Sequence, residues 1–272
     1  MKLLFIHQNF PGQFRSLAPA LAQQSHEVTA LYTNQHLPAH WQGVRIISYE
    51  TKRTSTLGIH PWISDFEAKT IRAEACYRAC HKLKAEGFVP EVIIAHPGWG
   101  ESTFLKEVWP QAKLGIYCEF YYHAEGADIG FDPEFPSEDP EGEVCRLQLK
   151  NLSNLLHFQV AEAGIAPTHW QASTFPEPFR SKITVVHDGI DTKTVAPNSA
   201  VSLTLNHTLP LTRQDEVITF VNRNLEPYRG YHIFLRALPE ILRRRPRTRV
   251  LLIGGDGVSY GARPNGSKSW KQ

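Results

Sequence analysis

Short apolar runs alternate with longer segments of helical period along the first two thirds of the chain. Residues 2–7, 27–32, 44–49, 91–95, 114–120 and 182–187 read as strands. Between the first two runs, Phe14, Leu17, Ala18, Leu21 and Ala22 fall on one helical face. A longer helix is expected from a cap at Asp65 to about residue 87, with Phe66, Ala73, Tyr77 and Cys80 turned inward. Residues 102–108 read as a short helix and 144–160 as one longer helix. Strand and helix in alternation predict an α/β fold with a doubly wound, Rossmann-like parallel sheet.

The pattern starts again after a polar, aperiodic stretch at 197–213. Residues 217–221 and 250–253 are β-branched and apolar, the signature of strands buried on both faces. Phe234, Leu238, Ile241 and Leu242 lie between them at helical spacing, and Pro239 is expected to kink that helix. This is one strand–helix–strand unit. The expected organisation is a first domain over 1–195, a linker over 196–215 and the start of a second Rossmann-like domain over 216–272.

Composition removes several function classes. A formal net charge of +2 over 272 residues gives no field to attract nucleic acid in bulk. No apolar run nears the roughly 20 residues of a membrane helix. The apolar start ends at Gln8, Asn9 and Pro11 with no small-residue cleavage site, so it reads as a strand and not as a signal peptide. Cys76, Cys80, Cys118 and Cys145 form no C-x-x-C pair, which predicts buried, reduced thiols and a cytoplasmic setting.

Candidate chemistry lies at the strand ends, where open α/β sheets bind ligands. Gly12 occupies the first strand-to-helix loop beside Gln13. A single glycine there does not make the G-x-G-x-x-G of a nicotinamide enzyme. His96 ends a strand and precedes Gly98-Trp-Gly100, a placement that suits a site lining. Arg223 and Arg229 flank the loop after 217–221, and arginine there can hold a phosphate bidentately. Gly254, Asp256 and Gly257 follow the last strand and suit either a nucleotide-side loop or an ordinary tight turn. Residues 125–143 are rich in Asp, Glu and Pro, including Asp128. Their spacing is not an EF-hand, and a solvated or acceptor-facing loop is preferred to a metal site. The arginines at 243–249 fall at a helix carboxyl end, where cations interact favourably with the helix dipole, and a solvated terminus is the preferred reading, with an anionic membrane or nucleic acid as a second.

Arg223-Asn-Leu-Glu-Pro-Tyr-Arg229-Gly230 resembles the donor-diphosphate loop of the family-4 glycosyltransferases of the GT-B fold. The loop is one residue longer than the commonest form, and Arg229 stands where Lys is frequent. The resemblance extends through Phe10-Pro-Gly-Gln-Phe14, Ala95-His-Pro-Gly-Trp-Gly100, Gly130-Phe-Asp-Pro-Glu-Phe135 and His187-Asp-Gly-Ile-Asp191. It implies two Rossmann-like domains facing a cleft, and sugar transfer from a nucleotide-sugar donor with retention, without metal or other cofactor. Arg223, Arg229 and Gly230 would hold the donor diphosphate. Gly12, Gln13, His96, Gly98 and Asp191 would line the acceptor side. His123 would lie beside the reacting sugar, with Glu119 and Glu125 competing for the polar contact. The acceptor would be a glycan, a lipid or a small molecule, with peripheral contact at the inner face of a membrane as one setting. The family also leads one to expect a longer second domain with a pair of glutamates beyond Gly257. A chain ending at Gln272 is therefore expected to be a truncated, weak or inactive enzyme. The alternative is a non-catalytic binding module.

Overall fold

The computed structural model describes residues 1–33, 37–127, 129–130, 132–205, 208–259, 261 and 263–272. Asp128 and Phe131 of the acidic segment and residues 206–207 of the expected linker lie outside them. The chain divides into two compact units, Met1–Ile190 and Asp191–Gln272.

The first unit runs β1 (Lys2–Ile6), α1 (Leu17–Gln23), β2 (Glu27–Tyr32), β3 (His40–Trp41), β4 (Val44–Ser48), α2 (Ser64–Ala85), β5 (Val92–Ala95) and α3 (Leu105–Val108). It continues through β6 (Lys113–Tyr117), α4 (Pro140–Lys150), α5 (Leu152–Val160), β7 (Ala163–Ala166), α6 (His169–Thr174) and β8 (Ile183–Val185). The strands form one sheet in the order β3-β4-β2-β1-β5-β6-β7-β8. All neighbours are parallel except the short β3–β4 pair.

β1 lies inside this order and shows why its sequence is nearly all apolar. Leu3 and Phe5 enter one core with Phe10, Phe14, Ala18 and Val44. Leu4 and Ile6 enter a second core on the opposite face with Cys76, Cys80, Leu83 and Ile93. Period-two alternation thus feeds both faces, and neither tolerates a polar residue.

Several expectations need correction. Asp65 does not cap α2. It sits in the first turn and pairs with buried Lys69 at 3.0 Å, while Ile63 precedes the helix with no side-chain cap. The helix expected over 144–160 is two helices. They part at Asn151, whose amide is bonded to both backbone groups of Tyr122, Tyr122 N–H donating at 3.1 Å and Tyr122 C=O accepting at 2.8 Å. β7 has the weak signature Ala-Gly-Ile-Ala and escaped the periodicity reading. Cys76, Cys80 and Cys118 are buried and free, but Cys145 is exposed. No helix among the described residues is long and apolar enough to cross a membrane.

In the second unit, the stretch expected as a linker carries an antiparallel hairpin, β9 (Ser202–Leu205) with β10 (Leu209–Thr212). β11 (Val217–Asn224), α7 (Tyr231–Arg244) and β12 (Arg249–Gly255) then form one parallel βαβ unit. β11 and β12 are not buried on both faces. Phe220 packs on Phe234 of α7 with ring centroids 4.8 Å apart, whereas Val221 is 61% and Ile253 51% exposed. One helix covers one face of a two-stranded sheet and no more. α7 continues through Pro239 as a single helix.

Gly100 closes the turn that follows β5. Its φ is +95°, and a Cβ there would lie 2.6 Å from the Lys69 carbonyl oxygen. Gly58 also has positive φ, +73°, but open space around it. Gly58→Ala should cost about 1 kcal/mol, the left-handed penalty alone. Gly100→Ala should cost roughly 2–4 kcal/mol, because helix backbone must also move. Urea unfolding midpoints of the two variants check the order, and equal losses would contradict it.

Candidate active site

The strand order reverses direction at β1. The chain leaves β1 toward β2 and β4 on one side, then returns to β5 on the other and continues outward. In an open parallel sheet the crevice forms outside the carboxyl ends at such a point. His7 directly follows β1, His96 directly follows β5, and Glu119 lies just past β6. The fold therefore gathers three polar residues from three adjacent strands.

Their hydrogen bonds have a definite direction. His7 Nδ1 accepts from the Asn9 amide at 3.0 Å, so its ring proton sits on Nε2 and is donated to Gln13 Oε1 at 2.7 Å. Gln13 Nε2 then points to Glu119 Oε2 at 3.5 Å. His96 Nδ1 accepts from the Gly98 amide at 3.1 Å, and its Nε2–H is donated to the same Glu119 Oε2 at 2.7 Å. The Glu119 carbonyl accepts from Gln171 Nε2 at 3.1 Å, which fixes the backbone behind the carboxylate.

The rings pack as tightly as they bond. His96 stacks on Tyr117 at 5.5 Å and lies 4.4 Å from Trp99, while the His7 and His96 centroids are 5.3 Å apart. The Tyr117 hydroxyl donates to both Asp188 oxygens at 3.0 and 2.9 Å. Burial, and then Asp188, push that hydroxyl well above the usual tyrosine range. Burial, with the neighbouring His96 second, pulls His7 down to about 4, against the raising effects of Gln13 and Glu119. His7 is therefore a neutral ring at pH 7. Gly12 has φ +42°, and any Cβ there would overlap the His7 imidazole, so this glycine makes room for the histidine.

The structure brings together Gln13, His96 and Glu119, with Gly12 and Gly98 packed against the two imidazoles. His123 stands apart from that array. It is exposed, and its Nε2 is bonded to the Thr174 carbonyl at 2.7 Å. Glu125 is exposed. Asp191 falls in the second unit, where its carboxylate accepts from Lys193 and Thr194 amides and from the Thr194 hydroxyl at 2.7 Å, closing its own turn. Sequence reading missed His7, Tyr117 and Asp188. The available signal was position: His7 is the first residue after an apolar strand and is followed by a glycine loop.

In the second unit, Arg223 and Arg229 both belong to the carboxyl end of β11 and its loop. Arg223 is exposed. Arg229 lies 3.8 Å from Glu226, which is fully buried and accepts the Ser259 amide at 3.0 Å. Gly230 has φ +70° and both ends the Pro227–Arg229 turn and opens α7. Asp256 pairs with Lys271 at 3.3 Å.

A family profile for the glycosyl transferase family 4 group matches residues 24–195. The chain belongs to this family. The match contains His96, Glu119 and Asp188, while His7, Gln13 and the arginine loop fall outside it. Among solved structures, the catalytic domain of starch synthase IV from Arabidopsis thaliana, bound to ADP and acarbose, is similar at TM-score 0.57 and 15% identity, over 93% of this chain and 68% of that one. That likeness shows the fold, a GT-B glycosyltransferase architecture. MurG from Acinetobacter baumannii aligns at TM-score 0.45 and 14% identity, over 95% of this chain and 62% of that one. Os79 from O. sativa, in complex with UDP and deoxynivalenol-3-glucoside, aligns at 0.49 and 8%, over 92% and 71%. A search of the curated proteins returns no match.

A second buried histidine in the family's matched region offers a test of this electrostatic picture. His157 Nδ1–H donates to the Ser153 carbonyl at 2.5 Å, and its Nε2 accepts from the Ser102 hydroxyl at 2.6 Å. Burial pulls it from 6.5 down to about 4. The unfolded chain then binds more protons than the folded one between those values, so stability is present above 6.5 and lost as pH falls through that window. The stability advantage of wild type over His157→Gln should shrink by about 3 kcal/mol from pH 7 to pH 4. Chemical unfolding across that range measures it, and a pH-independent difference would refute the assignment.

Proposed function

We propose that the chain acts in a retaining, metal-independent glycosyltransferase that moves a sugar from a nucleotide-sugar donor to a glycan, lipid or small-molecule acceptor, in glycan or glycolipid synthesis. The observation that carries the reading is the convergence of His7, Gln13, His96 and Glu119 outside the carboxyl ends of β1, β5 and β6, at the reversal of strand order, in a chain of this family. A hydrogen-bonded carboxylate among imidazoles and aromatic rings suits a polyhydroxylated ligand, whose hydroxyls donate and whose ring faces pack on aromatics. Glu119 takes the polar contact with the reacting sugar. The exposed His123 is the family-based alternative for that contact.

Arg223 and Arg229 bind the donor diphosphate in this reading. As the sugar leaves, negative charge accumulates on the diphosphate, and fixed guanidinium groups stabilise that charge more in the transition state than in the ground state. Glu226 is already buried behind Arg229 and holds it near the loop. Gly230 and the amino terminus of α7 bring backbone N–H groups to the same end of the sheet. The free thiols fit a cytoplasmic setting.

The test is release of nucleoside diphosphate from UDP-glucose, ADP-glucose and GDP-mannose with candidate acceptors, with and without EDTA. Turnover that survives EDTA supports the reading. Arg223→Ala and Arg229→Ala should each weaken nucleoside-diphosphate binding by about 1.5–3 kcal/mol, the range for hydrogen bonds to charged groups. Calorimetry checks this, and unchanged affinity in both variants would remove the arginines from the site. Nucleotide binding without turnover would favour a binding module.

A further inference from the structure

We propose that His7 and Gln13 are positioning residues that act through Glu119, aiming its carboxylate at a hydroxyl of the bound sugar. The inference rests on the glycosyltransferase reading and extends it to residues that precede the family match at residue 24.

A glutamine amide is nearly symmetric in shape and can present either its oxygen or its nitrogen to a neighbour. At Gln13 that choice is already made. The Asn9 amide occupies His7 Nδ1, so His7 offers only an N–H at Nε2, and Gln13 must answer with its oxygen. Its NH2 group is thereby turned toward Glu119. The Gly98 amide makes the same choice for His96. Two chains of hydrogen bonds, each starting from a backbone N–H, converge on Glu119 Oε2.

Burial grades along each chain. His7 is 2% and His96 3% exposed, whereas the Glu119 side chain keeps 31% of its surface. The carboxylate is the outward end of two buried supports. The His7–Gln13 support is a neutral one, since the low value at His7 keeps its ring uncharged. The two supports orient the carboxylate through its Oε2. A charged, oriented acceptor at the carboxyl ends of parallel strands matches a sugar hydroxyl. The arrangement also explains the glycine at 12, because a side chain there would displace the ring that sets the direction of the whole chain.

The experiment uses the full chain and nucleoside diphosphate release from the three nucleotide sugars named above. Gln13→Ala and His7→Ala should lower kcat about 100-fold, the effect of misplacing a reacting group, with little change in donor KM. His7→Gln keeps an N–H donor near the Nε2 position and should recover part of that loss. The double variant His7→Ala/Glu119→Ala should be no slower than Glu119→Ala alone, because residues acting through one group do not add. Gln13→Glu places a second carboxylate beside Glu119 and should move the acid limb of the kcat/KM profile to higher pH. Additive losses in the double variant, or an unmoved acid limb in Gln13→Glu, would overturn the proposal while leaving wild-type turnover and the transferase reading intact. Absence of turnover by the wild-type chain would overturn the transferase reading and this proposal together. Gln13 is partly exposed, so its variants remain informative if a change at buried His7 prevents folding.

Discussion

The pairing of β1 with β5 is the constraint on which the candidate site depends. Leu3 to Ile6 lie beside Val92 to Ala95 in parallel register, so the residues that follow each strand emerge side by side. His7 and His96 are those residues. β6 pairs with β5 in the same sense and delivers Tyr117 and, past it, Glu119. Had β5 paired outside β4, the two imidazoles would be separated by the width of the sheet. The chemistry is thus a consequence of strand order, and strand order is held by the two apolar cores that β1 feeds from its opposite faces.

The polar interior of the first unit runs on opposed protonation demands. His7 and His157 resist protonation, so their contribution falls as the solution is acidified toward about 4. Glu101 is buried two residues beyond Trp99, and burial pushes it up to about 7, against its own backbone N–H and Arg72. Its folded value is raised, so its cost to stability grows as pH rises from 4.5 toward that value. Two histidines and one carboxyl therefore pull in opposite directions over the same window. Lys69 adds a buried cation, held by Asp65, the Lys150 carbonyl and the Ser153 hydroxyl. His7, His157 and Lys69 are tolerated because each is hydrogen-bonded, whereas both Glu101 carboxylate oxygens are buried without a hydrogen-bond partner among the described residues.

Much of this was legible in the sequence, and the unread parts share a physical reason. The strands at 2–6, 27–32 and 92–95 announce themselves because both of their faces are largely buried and, Lys2, Glu27 and Thr29 apart, their positions are apolar. His96 and Glu119 stand out as polar residues at or just past the ends of such runs, and Gln13 as a polar residue of the loop after the first. β7 stayed hidden because an Ala-Gly strand packs close to its neighbours: a Cβ on Gly164 would lie 2.7 Å from Cys118 Sγ. Small residues carry no periodic signal, yet here they permit the sheet to close up. The break at Asn151 stayed hidden because its cause is tertiary, an amide bridging to Tyr122 far away in sequence. His7 reads only as the end of a strand because direction of hydrogen bonding, unlike hydrophobicity, leaves no mark on a linear pattern.

The glycines of the second unit show how far a motif can be taken. Gly254, Gly255 and Gly257 invite either a nucleotide contact or a tight turn. None of them has a positive φ, so conformational freedom is not what selects glycine there. What excludes a side chain is crowding: a Cβ on Gly254 would meet the Asn222 carbonyl at 2.8 Å, and one on Gly255 would meet Asn224 Oδ1 at 2.8 Å. These glycines let the end of β12 close on the end of β11, where Leu225 N–H bonds the Gly255 carbonyl and Asn224 bonds Ser259. The contact in turn buries Glu226 beside Arg229. The glycine run therefore shapes the arginine loop from behind, and a ligand contact of its own is not needed to account for it.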